Sequence, residues 1–250
     1  MWQQSPHQTE PLVSYFTVHR PYSLEIAVES IEAALAAVRG GAHRLELCSQ
    51  LAAGGLTPST ELIRAARKRI SLPIFAMIRP REGDFVYSDF EFTTMQRDVE
   101  AAKQLGMNGV VLGLLRNDGS VDIERTRHLV ELAGPLPVTF HRAFDTLPDL
   151  AAALDDVIHT GAARILTSGG APTALQGLAK IARLVAAAQD RIVIVPGRGI
   201  NSSNIREVVY RTRACEFHSG LGTRMPYGRN HYDLFEKEVC AMASVLAKRS

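Results

Sequence analysis

The sequence predicts a single-domain α/β protein with the architecture of a (β/α)8 barrel, also called a TIM barrel. Short, apolar, β-branched runs alternate with amphipathic helical stretches along nearly the whole chain. The intervals between these runs are long enough for a helical crossover between parallel strands and too long for a hairpin. Eight such runs, apolar enough to be covered on both faces, favour a closed barrel over the competing open, doubly wound sheet.

The predicted strands share this apolar pattern and follow one another at crossover spacing. They are Leu24–Val28, Arg44–Cys48, Ile74–Arg79, Val110–Gly113, Val138–Arg142, Arg164–Ser168, Ile192–Pro196 and Cys215–Ser219. Because the last strand of a barrel closes on the first, we expect the eighth, first and second strands to be neighbours.

The predicted helices carry start and stop signals of their own. Thr57 before Pro58 is typical of a helix start, with a capping hydroxyl followed by proline at the first helical position. Ser88 and Glu91 have the spacing of a capping box. Glycine in the left-handed conformation commonly ends a helix, and three helices are predicted to end in this way, at Gly41, Gly106 and Gly161.

Length and composition are those of a soluble globular protein. The chain has 250 residues, a formal net charge of +2 and 46% hydrophobic residues. No linker divides it, so we expect residues 1–20 to form a partly flexible lead-in and residues 21–250 to form one barrel domain. The near-balanced charge argues against nucleic-acid binding. No stretch reaches the roughly 18 consecutive apolar residues of a membrane span.

The cysteines favour a reducing compartment. Cys48, Cys215 and Cys240 are an odd number at spacings that match no disulfide or zinc framework. The first twenty residues lack the basic start, apolar stretch and cleavage site of a secretory signal peptide. Both observations predict a cytoplasmic protein.

Polar side chains are expected at the carboxyl ends of the strands, where this fold carries out its chemistry. The candidate catalytic residues are Glu25, Glu46, His141 and Glu216. A charged side chain on a strand faces the barrel interior and not the apolar helix layer, so the three glutamates are expected to converge. Their repulsion raises their pKa values unless a divalent ion, arginines or shared protons offset it. Two interpretations stay open, a ligand or metal site and a buried polar network that fills the barrel.

Arginines and glycine turns at the same strand ends predict an anion site. Arg79 and Arg81, separated by a proline, resemble an anion clamp or a lid, with a salt-bridged surface loop as the alternative. Glycines after strands six and seven let backbone N–H groups approach a ligand, with tight turning alone as the alternative. The candidate anion-binding residues are Arg79, Arg81, Ser168, Gly169, Gly197 and Gly199.

Cys48 and His218 are the candidate metal ligands, because a thiolate and an imidazole suit a soft metal such as Cu(I). A lone cysteine at a strand end is also typical of a small buried hydrophobe, and that alternative stays open. The partners expected from the residues are thus a metal ion or a small anionic ligand.

Six motifs, taken together and in order, resemble the CutC family. They are Glu46-Leu47-Cys48, Met77-Ile78-Arg79-Pro80-Arg81, Gly83-Asp84-Phe85, Thr139-Phe140-His141-Arg142-Ala143-Phe144-Asp145, Leu166-Thr167-Ser168-Gly169 and Glu216-Phe217-His218-Ser219. The resemblance implies a cytosolic TIM-barrel protein, often a homo-oligomer such as a dimer or tetramer, that takes part in copper homeostasis. It also implies copper binding through cysteines near the ends of strands one and two.

The sequence departs from the family pattern at three positions. Ala27 stands where the family typically has a cysteine, so only Cys48 remains of the implied thiolate pair. Glu82 stands where glycine is usual, and Arg198 lies in a turn that is often made of small residues. One thiolate and a histidine make a poorer Cu(I) site than two thiolates. Two functions stay open: copper homeostasis with copper binding, and an enzyme acting on a small phosphate- or carboxylate-bearing metabolite at the strand ends.

Overall fold

A computed structural model describes residues 22–221 and 232–248, which form eight strands alternating with eight α-helices. The strands are β1 Ser23–Val28, β2 Arg44–Leu47, β3 Ile74–Met77, β4 Gly109–Leu112, β5 Val138–Phe140, β6 Arg164–Thr167, β7 Val193–Pro196 and β8 Glu216–Ser219. The helices are α1 Ile31–Arg39, α2 Thr60–Arg69, α3 Asp89–Gln104, α4 Ile123–Ala133, α5 Leu150–His159, α6 Leu178–Ala188, α7 Ile205–Thr212 and α8 Tyr232–Ala247. The predicted lead-in, residues 1–20, lies outside the described residues.

The strands form one parallel sheet that curls into a barrel. Its order is β7-β6-β5-β4-β3-β2-β1-β8, so β8 lies beside β1 and closure brings it against β7. Each strand is followed by a helix that packs its apolar face on the outside of the sheet. The predicted (β/α)8 barrel is therefore confirmed, as is the expected neighbourhood of strands eight, one and two. None of the helices in the described ranges is long and apolar enough to cross a membrane.

The predicted strands are right in place, but the second to the sixth extend one or two residues too far at the carboxyl end. Arg79, His141 and Ser168 lie just beyond their strands. The reason is visible at His141, whose side chain caps a 3₁₀ turn at Arg142–Thr146, so the chain leaves the sheet there. Residues placed on loops in this way have more freedom to aim their side chains across the barrel mouth.

Helix signals were of unequal value. The capping box of Ser88 and Glu91 is confirmed at the start of α3, and Gly41, Gly106 and Gly161 are confirmed in the left-handed region, with φ of 87°, 77° and 82°. The helix start at Thr57 is wrong, because α2 begins at Thr60 and is capped by Ser59. The Thr57 hydroxyl instead accepts a hydrogen bond from the Arg79 N–H and donates one to Asp98, which ties the loop after β2 to the loop after β3.

The amino end of the barrel interior is filled by a charged cluster. Arg44, the first residue of β2, donates from Nε to Glu25 at 2.5 Å and from Nη2 to Glu216 at 2.6 Å. Its guanidinium lies 4.9 Å from the centroid of the Phe75 ring, and that of Arg164 lies 4.1 Å from the same centroid. Cation–π contacts of this kind stabilise a buried guanidinium.

Glu216 belongs to this cluster, so its predicted place among the carboxyl-end residues is wrong. It is the first residue of β8 and pairs in register with Ser23, at the amino end of β1. The prediction that Glu216 shares a face of the strand with His218 was right, because both side chains face the interior. The two residues nevertheless lie at different depths of the barrel. The alternation of residues along the strand predicted correctly that the Glu216 side chain faces the barrel interior. It did not predict how deep in the barrel the residue lies.

The ion pairs of Arg44 are expected to dominate the stability of this end. An Arg44→Met substitution leaves the buried Glu25 carboxylate without its counter-charge and should lower the free energy of unfolding by about 3–5 kcal/mol. Arg39→Met is the matched control, because Arg39 also pairs with a glutamate, Glu236, but its side chain is 54% exposed against 10% for Arg44. Exposed pairs contribute about 0–1 kcal/mol. Urea denaturation at neutral pH measures both, and similar losses would contradict the buried-pair account.

Candidate functional site

A cavity of about 430 Å³ opens at the carboxyl end of the barrel. Its volume lies in the range of small-molecule sites. Side chains from several strand ends and two loops reach it, and they include Glu46, Met77, Arg79, Phe85, His141, Arg142, Leu166, Arg198 and His218. The chemistry is concentrated on the floor, where Glu46 and His218 lie, and on the wall beside His141.

The floor is a row of three buried side chains from β2, β8 and β1. His218 shares a hydrogen bond of 2.7 Å between Nδ1 and Oε1 of Glu25, while its Nε2 lies 3.9 Å from Oε2 of Glu46. Glu46 is 3% exposed, and its Oε1 is buried without any hydrogen-bond partner among the described residues. Glu46 and His218 line the cavity, so the unpartnered carboxylate oxygen belongs to a residue of the cavity wall.

The three groups differ in protonation behaviour. Burial raises the pKa of Glu25, but Arg44 and His218 outweigh burial and hold that pKa well below its usual range. Burial lowers the pKa of His218, yet the charges of Glu46 and Glu25 raise it above the ordinary value overall. Burial raises the pKa of Glu46 to about 7 although His218 opposes the rise. The row therefore ends, on the cavity side, in a carboxyl group that titrates near neutral pH.

His141 also lines the cavity and carries a second polar atom without a partner. Burial, and then the nearby Arg79 charge, lower its pKa to about 3, so the ring is neutral. Its Nδ1 accepts a hydrogen bond from the Ala143 N–H at 3.2 Å, which places the ring proton on Nε2. That atom is buried and has no partner in the described structure. Gly113 makes room for the ring, since a Cβ there would lie 2.5 Å from Nδ1.

Arg79 lies on the cavity wall beneath a folded loop. Its guanidinium donates to the carbonyls of Ala53 and Gly55 and to that of Gly83, and it stacks 4.9 Å from the centroid of the Phe85 ring. The same ring contacts His141, with 4.9 Å between centroids. Within the described ranges no carboxylate pairs with Arg79, and its buried Nε has no hydrogen-bond partner. Its positive charge is fixed in place and is not neutralised.

The other predicted anion-binding residues are less well placed. Arg81 donates to Glu91 at 2.5 Å and to Asp84 at 2.9 Å, which matches the salt-bridged loop that was the alternative for it. Gly197 packs under Leu166, because a Cβ there would lie 2.4 Å from Cδ1 of that leucine. Gly199 alone among the predicted glycines lines the cavity.

Asp145 occupies the backbone donors after β6 that were predicted for a ligand. Its carboxylate accepts hydrogen bonds from the Ser168 N–H and hydroxyl and from the Gly170 N–H, and Thr167 donates to it at 2.5 Å. The Gly169 N–H bonds to the hydroxyl of Thr167. The donors of Ser168 are thus satisfied by Asp145, and the Gly169 N–H is satisfied by Thr167, so neither residue is left for a ligand.

Arg142 and Arg198 are cavity residues that the sequence reasoning did not select. Arg142 follows His141 and donates from Nε to Asp145 at 3.1 Å. Arg198 stands between two glycines after β7, with φ of 76°, a left-handed conformation that is rare for a residue with a side chain. The sequence feature that could have identified Arg198 as a cavity residue is its place in a turn of small residues.

Cys48 lies in an apolar cluster below the cavity wall. The cluster comprises Ala27, Cys48, Leu51, Phe75, Met77 and Val111. The Cys48 thiol lies 3.7 Å from the Val28 carbonyl oxygen, and burial, followed by the charge of Glu46, raises its pKa well above the usual value. Ala27, where the family typically has a cysteine, belongs to the same cluster. One protonated thiol is a poor fit to Cu(I) as the only soft anionic donor.

One group of metal-ligating side chains comes together within residues 22–221 and 232–248. It consists of Glu25, Glu46 and His218, whose ligand atoms all lie within 4.8 Å of one another. Cys48 is not a member, so the two predicted metal ligands, Cys48 and His218, are not gathered in one such group.

Comparison with known proteins identifies relatives that share this fold and length. A family protein CutC of Vibrio campbellii is 48% identical over 204 residues, covering 80% of this chain and 83% of that protein. The copper homeostasis protein cutC homolog of Homo sapiens is 46% identical over 204 residues, covering 81% of this chain and 75% of that protein. The crystal structure of a CutC protein from Streptococcus agalactiae has a TM-score of 0.76 at 31% identity, covering 81% of this chain and 99% of that chain.

The CutC family matches residues 22–223. This range includes every strand of the barrel as well as Glu46 and His141. Similarity of this extent confirms the resemblance carried by the six motifs. The chain belongs to the CutC family.

Proposed function

We propose that this protein is an enzyme that transfers protons to and from a small anionic metabolite bound in the barrel mouth. One observation carries the proposal. Glu46 Oε1 and His141 Nε2 are both buried, both lack a hydrogen-bond partner in the described structure, and both residues line the same cavity. A buried polar atom without a partner costs free energy, and pairs of such atoms around a cavity are typical of a site that a ligand completes.

Glu46 supplies the acid or base. A general acid or base works best when its pKa lies near the operating pH, and burial brings that of Glu46 to about 7. Glu25 and His218 form the row behind it, with Glu25 held ionised by Arg44. The His218 imidazole, whose Nε2 lies 3.9 Å from Oε2 of Glu46, opposes the rise in the pKa of Glu46 and so favours the carboxylate when its proton leaves.

His141 and Arg79 supply the groups that bind and polarise the substrate. The neutral ring donates from Nε2, which suits a carbonyl or ester oxygen on which negative charge develops during the reaction. Arg79 adds a fixed positive charge on the same wall. A metabolite bearing a carboxylate or phosphate fits this arrangement better than a neutral one.

Copper handling is the second candidate function. It is supported by the names of the human and mouse relatives, which are copper homeostasis proteins, and by Cys48 and Met77 lying in one cluster beside the cavity. A Cβ atom added to Gly55 would lie 3.5 Å from the Cys48 sulfur and 3.3 Å from the Met77 methyl carbon. The side chains of Cys48 and Met77 are therefore both close to Gly55. Thiolate and thioether are the ligands that Cu(I) prefers.

We further propose a cytosolic homo-oligomer. The three cysteines lie within the described residues and none of them is part of a disulfide, which suits a reducing compartment. A dimer or tetramer is the form implied by the family resemblance. Size-exclusion chromatography with light scattering checks the oligomer and is expected to give at least twice the mass of the chain; cell fractionation checks the compartment. A monomer, or export from the cell, would contradict the respective statement.

Glu46 is expected to weaken the fold as the pH rises. A carboxyl whose pKa is higher in the folded than in the unfolded protein contributes stability that is complete below the unfolded pKa and is lost as the pH rises through about 7. Glu46→Gln imitates the protonated form and should stabilise the protein by on the order of 2 kcal/mol near pH 8, with little gain near pH 5. Urea denaturation at both values measures the difference. Glu100→Gln, at an exposed position of α3, is the control and should be neutral at both.

The same substitution is expected to abolish the reaction. Small phosphorylated and carboxylated metabolites are screened by thermal shift, and each one that binds is then incubated in deuterated water and followed by NMR for exchange or conversion. Glu46→Gln should retain binding and lose at least about 10²-fold in rate, whereas Arg79→Ala should lose binding. Conversion that continues at the wild-type rate in Glu46→Gln, or ligands that bind the Arg79→Ala variant equally well, would overturn the proposal.

Copper binding is tested by titration with Cu(I) under a competing chelator. If Cys48 carries the site, Cys48→Ser should weaken Cu(I) binding by at least about tenfold, because a thiolate is replaced by a poor ligand for this ion. Cys240→Ser, which removes an exposed thiol on α8, is the control. Equal affinities in the two variants would remove the chemical basis of this function.

A further inference from the structure

Two guanidinium groups stand on either side of the end of β6. Arg142 follows β5 and Arg198 follows β7, and these strands are the two neighbours of β6 in the sheet. Both arginines line the cavity, as does Leu166 of β6. Burial lowers the pKa of Arg142, Asp145 raises it, and the positive charge of Arg198 lowers it again, as expected for two cations close together.

The charge of this pair is only half neutralised. Asp145 binds Nε of Arg142 and is otherwise committed to the donors after β6. Among the residues that the structure describes, no carboxylate pairs with Arg198. Asp145 also accepts hydrogen bonds from the backbone N–H groups of Ser168 and Gly170. An anion bound beside Arg142 and Arg198 would therefore be held by guanidinium groups and not by these backbone N–H groups.

The backbone of Arg198 is held in an unfavourable conformation. Its φ of 76° disfavours a residue with a Cβ, and glycine would adopt it freely. The turn is fixed from both sides, by the Ala174 N–H that donates to the Arg198 carbonyl at 2.9 Å and by Asn204, which donates to the Gly199 carbonyl at 2.8 Å. Backbone strain kept at a cavity wall is characteristic of functional positions.

We propose that Arg142 and Arg198 bind the phosphate group of a phosphate-monoester substrate. The two side chains offer more N–H donors than one carboxylate accepts, and Asp145 leaves one of their two positive charges for an anion. The rest of the substrate then extends along the floor toward Glu46 and His141. This inference rests on the proposed function and deepens it, because it names the substrate class and adds Arg198 as a specificity-determining residue.

The test compares two glycine substitutions with inorganic phosphate as the probe. Arg198→Gly and Arg213→Gly each remove one exposed arginine from a left-handed position, with φ of 76° and 61°, but Arg213 ends α7 and does not line this cavity. Phosphate affinity is measured by thermal shift and by ³¹P line broadening at constant ionic strength, with acetate as a second anion. Arg198→Gly should weaken phosphate binding by about tenfold or more, while Arg213→Gly stays within about twofold of the wild type.

Three results would overturn the phosphate subsite. They are equal phosphate affinity in the wild type and Arg198→Gly, an equal loss in both glycine variants, and acetate binding as tightly as phosphate. None of them touches the Glu46 experiment, in which rate and not phosphate affinity is read. Conversely, a normal phosphate response with conversion that is independent of Glu46 would leave the subsite standing and contradict the proton-transfer chemistry.

Discussion

The ion pair between Arg44 and Glu25 sets how the next residue up the barrel, His218, is oriented and where its proton lies. Because Arg44 holds Glu25 ionised, the imidazole nitrogen facing Glu25 carries the proton, and Nε2 of His218 is turned toward Glu46 and the cavity. Glu46 has no arginine of its own within hydrogen-bond distance, so burial governs its pKa. Two glutamates on adjacent strands, both buried, thus acquire opposite behaviour from a single cation.

The two ends of the barrel interior divide stability from chemistry. At the amino end Arg44 is paired with Glu25 and Glu216 and lies over Phe75, while Arg164 keeps one buried Nη2 without a partner in the described structure. At the carboxyl end Glu46 and His141 keep polar atoms that nothing in the described protein satisfies. A ligand that supplied the missing partners would offset this cost. Because the unpartnered atoms of Glu46 and His141 belong to residues that line a cavity, they favour a functional site over a polar network that only fills the barrel.

Local sequence patterns predicted the fold well. They failed where the depth of a residue in the barrel, or the partner of its side chain, depends on neighbouring strands. The barrel followed from apolar runs at crossover spacing, and the α3 cap followed from two residues, Ser88 and Glu91. The depth of Glu216 depends on the register of β8 against β1, which no local pattern encodes. The hydrogen-bonding role of Asp145 could not be predicted from the sequence for a related reason. Its role arises from a loop after another strand, which offers its N–H groups only once the barrel has closed.

Two of the three departures of this chain from the family pattern, Ala27 and Arg198, point in one chemical direction. With Ala27 in place of a cysteine, the apolar cluster around Cys48 has one thiol, and burial keeps that thiol protonated. With Arg198 in a turn of small residues, the cavity gains a cation on a backbone that would favour glycine. The first change weakens a soft-metal site and the second strengthens an anion site, while Glu46 and His141 are compatible with either. Selection at the barrel mouth of this protein is thus better explained by an anionic substrate than by copper.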